Sequence, residues 1–117
     1  MSSRWIQKHR RDQFYRLAKE RGYRSRASFK LLQANRSYRF IRHGCKVLDL
    51  GAAPGGWLQV AREAVSESGF VLGVDKQEIK PLSWKNVATI VGDVEDDALP
   101  TRVNDEAVGS VDVVLSD

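Results

Sequence analysis

Four carboxylates, one glycine-rich turn and one lysine are the residues of this 117-residue chain whose types and spacing could do chemistry. Asp49, Asp75, Asp93 and Asp117 each fall at or beside the end of a short apolar run. A carboxylate accepts hydrogen bonds from hydroxyl and amino groups and attracts cations. If the four runs are parallel strands, their carboxyl ends share one edge and the acids surround a single crevice, where such sheets take ligands. Any one Asp could be an ordinary turn or cap residue; four in register are harder to explain that way. Between Asp49 and Asp75 lies Gly51-Ala52-Ala53-Pro54-Gly55-Gly56-Trp57. Gly51 and Gly55 can take positive φ and let a ligand approach the backbone. The helix expected next offers amide N–H groups and a partial positive charge. The turn departs from the dinucleotide pattern G-x-G-x-x-G, with Ala53 at the second glycine and Pro54 lacking an N–H. Asp49 within the motif would repel a diphosphate and hold a cationic ligand. A tight turn without a ligand, or half of a nicotinamide dehydrogenase, are the competing readings of the glycines alone.

Positioning these residues requires alternating strands and helices. The run V-L-D-L, about 46–50, reads as a buried strand, and 56–66 as a helix with Leu58, Ala61 and Val65 at helical spacing. Residues 70–75, 87–93 and 111–117 read as strands two, three and four; the polar stretch 94–109 has room for one or two helical turns. Upstream, 5–21 reads as a basic helix with Trp5, Phe14, Leu17 and Ala18 on or near one face, ended by Gly22. Ser25 can cap a second helix running through Phe29, Leu31, Leu32 and Tyr38. The expected architecture is α/β: a basic helical arm, 1–45, followed by about four parallel strands in a ligand-binding half-domain, 46–117. Strand four would then form an apolar edge, with Val111, Val113 and Leu115 on one side, Val114 on the other, and no Pro or Lys to protect it. Self-association through that edge is the expected response, giving a homodimer.

The net charge of +4 conceals a division. Residues 1–46 carry 14 Lys/Arg against Asp12 and Glu20, a net of +12; residues 47–117 carry 5 against 13 acids, a net of −8. A basic arm on an acidic body is the layout of a nucleic-acid binder whose chemistry lies in the other half, with Arg10, Arg11, Arg24, Arg26 and Lys30 as candidate contacts. A solvated basic helix and an organelle transit peptide fit the same composition. Cys45 is the only cysteine, which excludes an internal disulfide and suits a reducing, cytoplasmic setting. His9 and His43 are far apart in sequence and no metal site is expected. No apolar run is long enough to span a membrane.

The pattern D-x-G-x-x-P-G-G resembles the first motif of S-adenosylmethionine (SAM) methyltransferases, whose cofactor carries an amino-acid tail and a sulfonium in place of phosphates. With Tyr23-Arg24-Ser25-Arg26-Ala27-Ser28-Phe29-Lys30-Leu31, Asp49 to Trp57, Gly92-Asp93 and Leu115-Ser116-Asp117, the chain resembles the FtsJ/RrmJ-type RNA ribose 2′-O-methyltransferases. The resemblance runs over nearly the whole chain and implies a Rossmann-like sheet that binds SAM and its product S-adenosylhomocysteine (SAH). It implies a cofactor site of Asp49, Gly51, Pro54, Gly55, Gly56, Trp57, Asp75, Asp93 and Asp117. Within it Gly55 and Trp57 would line the methionine end, Asp75 accept from the ribose hydroxyls, and Asp93 contact the adenine amino group. Lys30 and Asp117 match two members of the family's K-D-K-E catalytic set, whose second lysine and glutamate lie on later strands. The substrate implied is RNA, large-subunit rRNA or a ribosomal particle. The chain is therefore expected to be the first half of such an enzyme, with little or no transfer on its own; the alternative is a non-catalytic SAM- and RNA-binding half-domain that self-associates through strand four.

Overall fold

The computed structural model describes residues 3–117, except for the side chains of Arg11, Phe14 and Tyr15. The described elements are α1 (Ser3–Arg21), α2 (Ala27–Tyr38), β1 (Lys46–Leu50), α3 (Gly56–Val65), β2 (Phe70–Asp75), β3 (Val87–Val91), α4 (Leu99–Ala107) and β4 (Val113–Ser116). The strands form one parallel sheet in the order β3-β2-β1-β4. The chain steps from β1 to β2 in one direction, then returns from β3 past both to β4. Right-handed crossovers therefore place α3 and α4 on opposite faces.

Strand alternation sorts the core. Val47 and Val71 pack with Leu31, Ile41, Leu58 and Leu115 on the α2/α3 face; Leu48, Leu72 and Val74 pack with Ile90 and Leu99 on the α4 face. By the same alternation Asp49 points under α2 and α3. Leu58, Val60, Ala61 and Val65 make the inward stripe of α3, and removing a buried Leu side chain from such a core costs about 2–5 kcal/mol. Gly73 makes the close approach of α3 possible: a Cβ there would lie 2.7 Å from Leu58 Cδ1 and 3.1 Å from Ala52 Cβ. Leu31 and Ile41, from the residues read as an arm, share one core with Val47.

Several elements depart from the sequence reading. Only the last turns of α1 reach the body: Ala18 is buried and Leu17 half-buried, while Trp5 is 52% exposed and stacks on His9 at 5.2 Å. Phe14, expected on the same face, has its side chain outside the described residues. Gly22 ends α1 at φ +76, as its lack of a Cβ allows. Ser25 does not cap α2; Arg26 occupies the N-cap in a helical conformation without a side-chain cap, and the Ser25 carbonyl accepts from Ser28 N–H at 3.3 Å. Strand three ends at Val91: Gly92 N–H makes the last ladder bond, to the Asp75 carbonyl at 2.9 Å, β2 itself ends at Asp75, and Asp93 folds onto its own turn. Strand four starts only at Val113, since Asp112 makes a reciprocal pair with Lys46, N–H to carbonyl at 2.8 Å and carboxylate from N–H at 2.9 Å. Val111 is consequently out of the strand and packs on the α4 face, not beside Val113 and Leu115. β4 lies at the sheet edge with Val114 57% exposed.

Candidate functional site

β1 delivers the chain into the glycine turn, where Gly51 and Gly55 hold φ +75 and +117, the left-handed region that favours glycine. The turn is stitched to β2. Gly51 and Ala52 N–H both donate to the Val74 carbonyl, at 2.8 and 3.0 Å, and Ala53 N–H donates to Asp75 Oδ2 at 3.0 Å. Pro54 has no N–H. The amides of 51–54 are thus spent within the protein, which disfavours a diphosphate ligand and leaves recognition to side chains.

Two recesses open at this edge. The larger, about 510 Å³, lies between the ends of β1, β2 and β4, walled by Leu50, Val74, Asp75, Gln77 and Val94. The smaller, about 190 Å³, lies between the turn and the start of α2, walled by Ser25, Ala27, Asp49, Pro54 and Trp57. Gly51 and Asp117 line both. They meet where β1 and β4 send their connections to opposite faces, the switch point at which doubly wound sheets bind ligands. A further hollow of about 410 Å³, between α4 and β1, is lined mainly by apolar side chains such as Leu48, Leu99 and Val103 and adjoins the larger recess at Leu50 and Val94.

Asp49 is the electrostatic centre of the smaller recess. It is 1% exposed, and its Oδ2 has no hydrogen-bond partner. Burial, then the charges of Asp117 and Asp75, push its pKa up to about 7. A buried orphan acceptor that resists ionisation calls for a donor or a positive charge. The buried Ser28 hydroxyl is likewise unpartnered. Asp75 is half-buried, with Oδ2 bonded to Ala53 N–H and Oδ1 to Gln77 N–H at 2.9 Å. A carboxylate has about four acceptor positions, so Asp75 can bind a ligand hydroxyl while bracing both walls. Asp93 stands at the rim: its Oδ1 accepts from Glu95 N–H at 2.9 Å and its Oδ2 lies 3.6 Å from Lys76 Nζ. The Glu95 bond foremost, and the Lys76 charge after it, hold its pKa below the ordinary range. Its neighbours Gly92 and Val94 line the larger recess.

Lys30 reaches across from α2 to Asp117, Nζ to Oδ1 at 3.2 Å, with side chains 73% and 49% exposed. Trp57 lines the smaller recess and also donates its indole N–H to the Ala27 carbonyl at 2.7 Å, tying α3 to α2. Gly55 and Gly56 are both buried at the start of α3, and a Cβ on Gly56 would collide with the Ser25 and Ser28 hydroxyls.

The candidate RNA contacts divide. Arg10 and Arg26 are exposed, and the side chain of Arg11 lies outside the described residues. Arg24 is half-buried and its guanidinium is engaged within the protein: it donates to the Pro54 carbonyl at 3.0 Å, to that of Pro81 at 2.8 Å and to that of Lys80. Sequence reading also passed over Gln59, which looks like an ordinary helix-surface residue. Its Oε1 accepts from Arg24 N–H at 2.8 Å and its Nε2 donates to the Gly22 carbonyl at 2.9 Å. Tyr23 adds a third link, donating to Glu63 at 2.7 Å; burial, with that bond, pushes its pKa up to about 12. Among the described residues no cluster of three His, Cys, Asp or Glu could hold a metal, and no helix is long and apolar enough to cross a membrane.

The FtsJ-like methyltransferase family model matches residues 23–117. The ribosomal RNA large subunit methyltransferase E of Methanothermobacter thermautotrophicus is 50% identical over 117 residues, all of this chain and 56% of that protein. Its namesake from Methanocaldococcus jannaschii is 51% identical over 119 residues, covering 97% of this chain and 48% of that protein. The chain therefore spans about half the length of the curated relatives it matches. A crystal structure from Plasmodium falciparum described as a ribosomal RNA methyltransferase superposes with TM-score 0.69 at 30% identity, over 81% of this chain and 56% of that one. The MycE methyltransferase, solved with Mg and SAH, shares the fold at TM-score 0.59 and 24% identity, over 73% of this chain and 23% of its own. With the Rossmann-like fold, the glycine turn and the carboxylate-lined edge all in place, the family match over residues 23–117 shows that this chain belongs to the FtsJ-like methyltransferases.

Proposed function

We propose that this chain is the cofactor-binding and RNA-facing part of a ribosomal RNA ribose 2′-O-methyltransferase acting on large-subunit RNA or a ribosomal particle. The observation that carries this reading is the meeting of Lys30, from the basic segment, with Asp117, which lines both cofactor recesses. SAM supplies a methyl group on a sulfonium sulfur, electrophilic toward oxygen. The residues present fit it. Asp49 Oδ2, buried without a partner, suits the positive charge of the amino-acid end, Asp75 has acceptor positions left for ribose hydroxyls, and the spent turn amides favour a ligand without phosphates. On this reading Gly51, Pro54, Gly55, Gly56 and Trp57 shape the amino-acid end, and Asp93 contacts the adenine amino group.

A ribose 2′-hydroxyl is a poor nucleophile near neutral pH, and its proton must leave as the oxygen attacks. Lys30 Nζ, bonded to Asp117 at 3.2 Å, orients that hydroxyl, while Asp117 fixes the lysine. In the resembled family the proton passes to a second lysine; such general-base assistance is worth about 10²–10⁴-fold. The exposed Arg10 and Arg26 hold the RNA backbone, an attraction that weakens with salt.

Calorimetric titration tests the cofactor: SAH should bind and NAD⁺ should not, and the reverse overturns the reading. Transfer of labelled methyl from SAM to large-subunit rRNA by the full-length protein tests the reaction. A cytoplasmic location accompanies a ribosomal substrate. The chain pairs with a second copy through the open edge of β4, and a single 13.2 kDa species in light scattering would overturn this. The non-catalytic alternative is not favoured, since the family match includes both Lys30 and Asp117.

A further inference from the structure

We infer that Arg24, although it sits in the basic segment, is a positioning residue for the cofactor turn and not an RNA contact. The inference rests on the cofactor reading above and adds a residue to it. The guanidinium serves three carbonyls in two separate segments. Pro54 belongs to the glycine turn; Lys80 and Pro81 belong to the connection between β2 and β3. Those segments both wall the ligand edge: the turn supplies Gly51 to both recesses and Pro54 to the smaller, and the connection supplies Lys76 and Gln77 to the larger. Neither recess is lined by Arg24 itself. It clamps the two walls from behind, at a fixed spacing.

The surroundings are built for this clamp. Arg24 N–H is held by Gln59 of α3, so the residue's own backbone is anchored to the helix that the turn begins. Gly55, at φ +117, lies against the guanidinium: a Cβ there would come within 2.9 Å of Arg24 Nη1 and 3.2 Å of its Cδ. Glycine at this position therefore meets two demands at once, the left-handed backbone and room for the arginine. A lysine cannot replace the clamp, because one ammonium on a flexible stem lacks the planar fork that reaches separate acceptors. Asp75 braces the same two segments from the front, through Ala53 and Gln77 N–H. The ligand edge is thus closed by an arginine behind and a carboxylate before it.

The test compares Arg24→Lys and Arg24→Ala with Arg26→Ala. Losing a charged multiple hydrogen bond should weaken SAH binding roughly tenfold or more in both Arg24 variants, whereas Arg26→Ala should leave it unchanged and lower RNA affinity. Millimolar methylguanidine should restore SAH affinity to Arg24→Ala, a recovery that a general loss of stability would not show. Amide hydrogen exchange without ligand should quicken in 51–57 and 77–82 while the β1 and β2 amides stay protected. Unchanged SAH affinity in Arg24→Lys, or exchange that rises uniformly across the sheet, overturns the assignment. If the Arg24 variants fail to fold, Gly55→Ala, which presses on the same guanidinium, should loosen 77–82 as well as its own turn; loosening confined to the turn overturns it. Failure of the cofactor reading is distinct, since wild-type protein would then bind no SAH while exchange still reports on the clamp.

Discussion

Replacing Asp49 with Asn should make the protein more stable at neutral pH, by an amount that depends on pH. The asparagine keeps the shape and polarity of the neutral carboxyl but cannot ionise. In the folded protein, burial and the charges of Asp117 and Asp75 raise the Asp49 pKa from 3.8 to about 7. Below pH 3.8 both folded and unfolded chains hold the proton, and the carboxyl contributes no pH-dependent difference. Between 3.8 and about 7 the unfolded chain ionises while the folded one does not, so wild-type stability falls as pH rises, at about 1.4 kcal/mol per pH unit. Above about 7 the deficit is constant, with an upper limit of about 4 kcal/mol. Asp49→Asn removes this term and leaves every other titrating group common to both proteins. Urea unfolding from pH 4 to 8 should show the two stability curves converging at low pH and separating toward neutrality. Ligand binding supplies the complementary result: a cationic group opposite Asp49 favours the carboxylate, so SAM binding at pH 6 should release a proton. Calorimetry in buffers of different ionisation enthalpy reads that proton, and the variant should release less and bind more weakly. Parallel stability curves would refute the argument, because they would mean that Asp49 ionises normally in the folded chain.

Asp75→Ala should weaken SAH binding by about 1.5–3 kcal/mol, roughly ten- to a hundredfold, and Asp75→Asn by less, since one acceptor remains for the turn; equal affinity in calorimetry excludes the ribose role. Arg10→Ala with Arg26→Ala should flatten the slope of log K against log salt by roughly 0.7 per lost phosphate contact on single-stranded RNA, as filter binding over a salt series will read. Lys30→Ala breaks an exposed pair, so its unfolding free energy in urea should change by less than about 1 kcal/mol, while methyl transfer by the full-length protein should collapse. Gly73→Ala forces a methyl against Leu58 and Ala52 and should cost about 1–3 kcal/mol in denaturant unfolding, without changing a helix or strand boundary.

The local code of this protein was readable along the chain. β1, β2 and α3 follow from apolar runs and helical spacing bounded by glycine, and Gly22 ends α1 where expected, because these signals depend on neighbours a few residues away. The residues that carry the family match were legible for the same reason, as short contiguous motifs in a fixed order. Boundaries set by distant partners were not. β4 begins late because Asp112 pairs with Lys46, and β3 ends early because its partner strand β2 ends at Asp75.

What a residue type determines by itself is what it can do: a glycine can turn, a carboxylate can accept, an arginine can bind phosphate. What it does was decided by tertiary placement. Arg24 reads as a phosphate ligand by its type, yet its guanidinium serves three backbone carbonyls, and Gln59 reads as surface yet joins α3 to the segment before α2. Asp49, Asp75 and Asp117 read as equivalent strand-end acids, yet burial without a partner separates the first from the other two. The physical reason is common to all of them. Charge and hydrogen-bonding capacity belong to the side chain, whereas desolvation and the identity of the partner belong to the packed environment, which strands far apart in sequence create together.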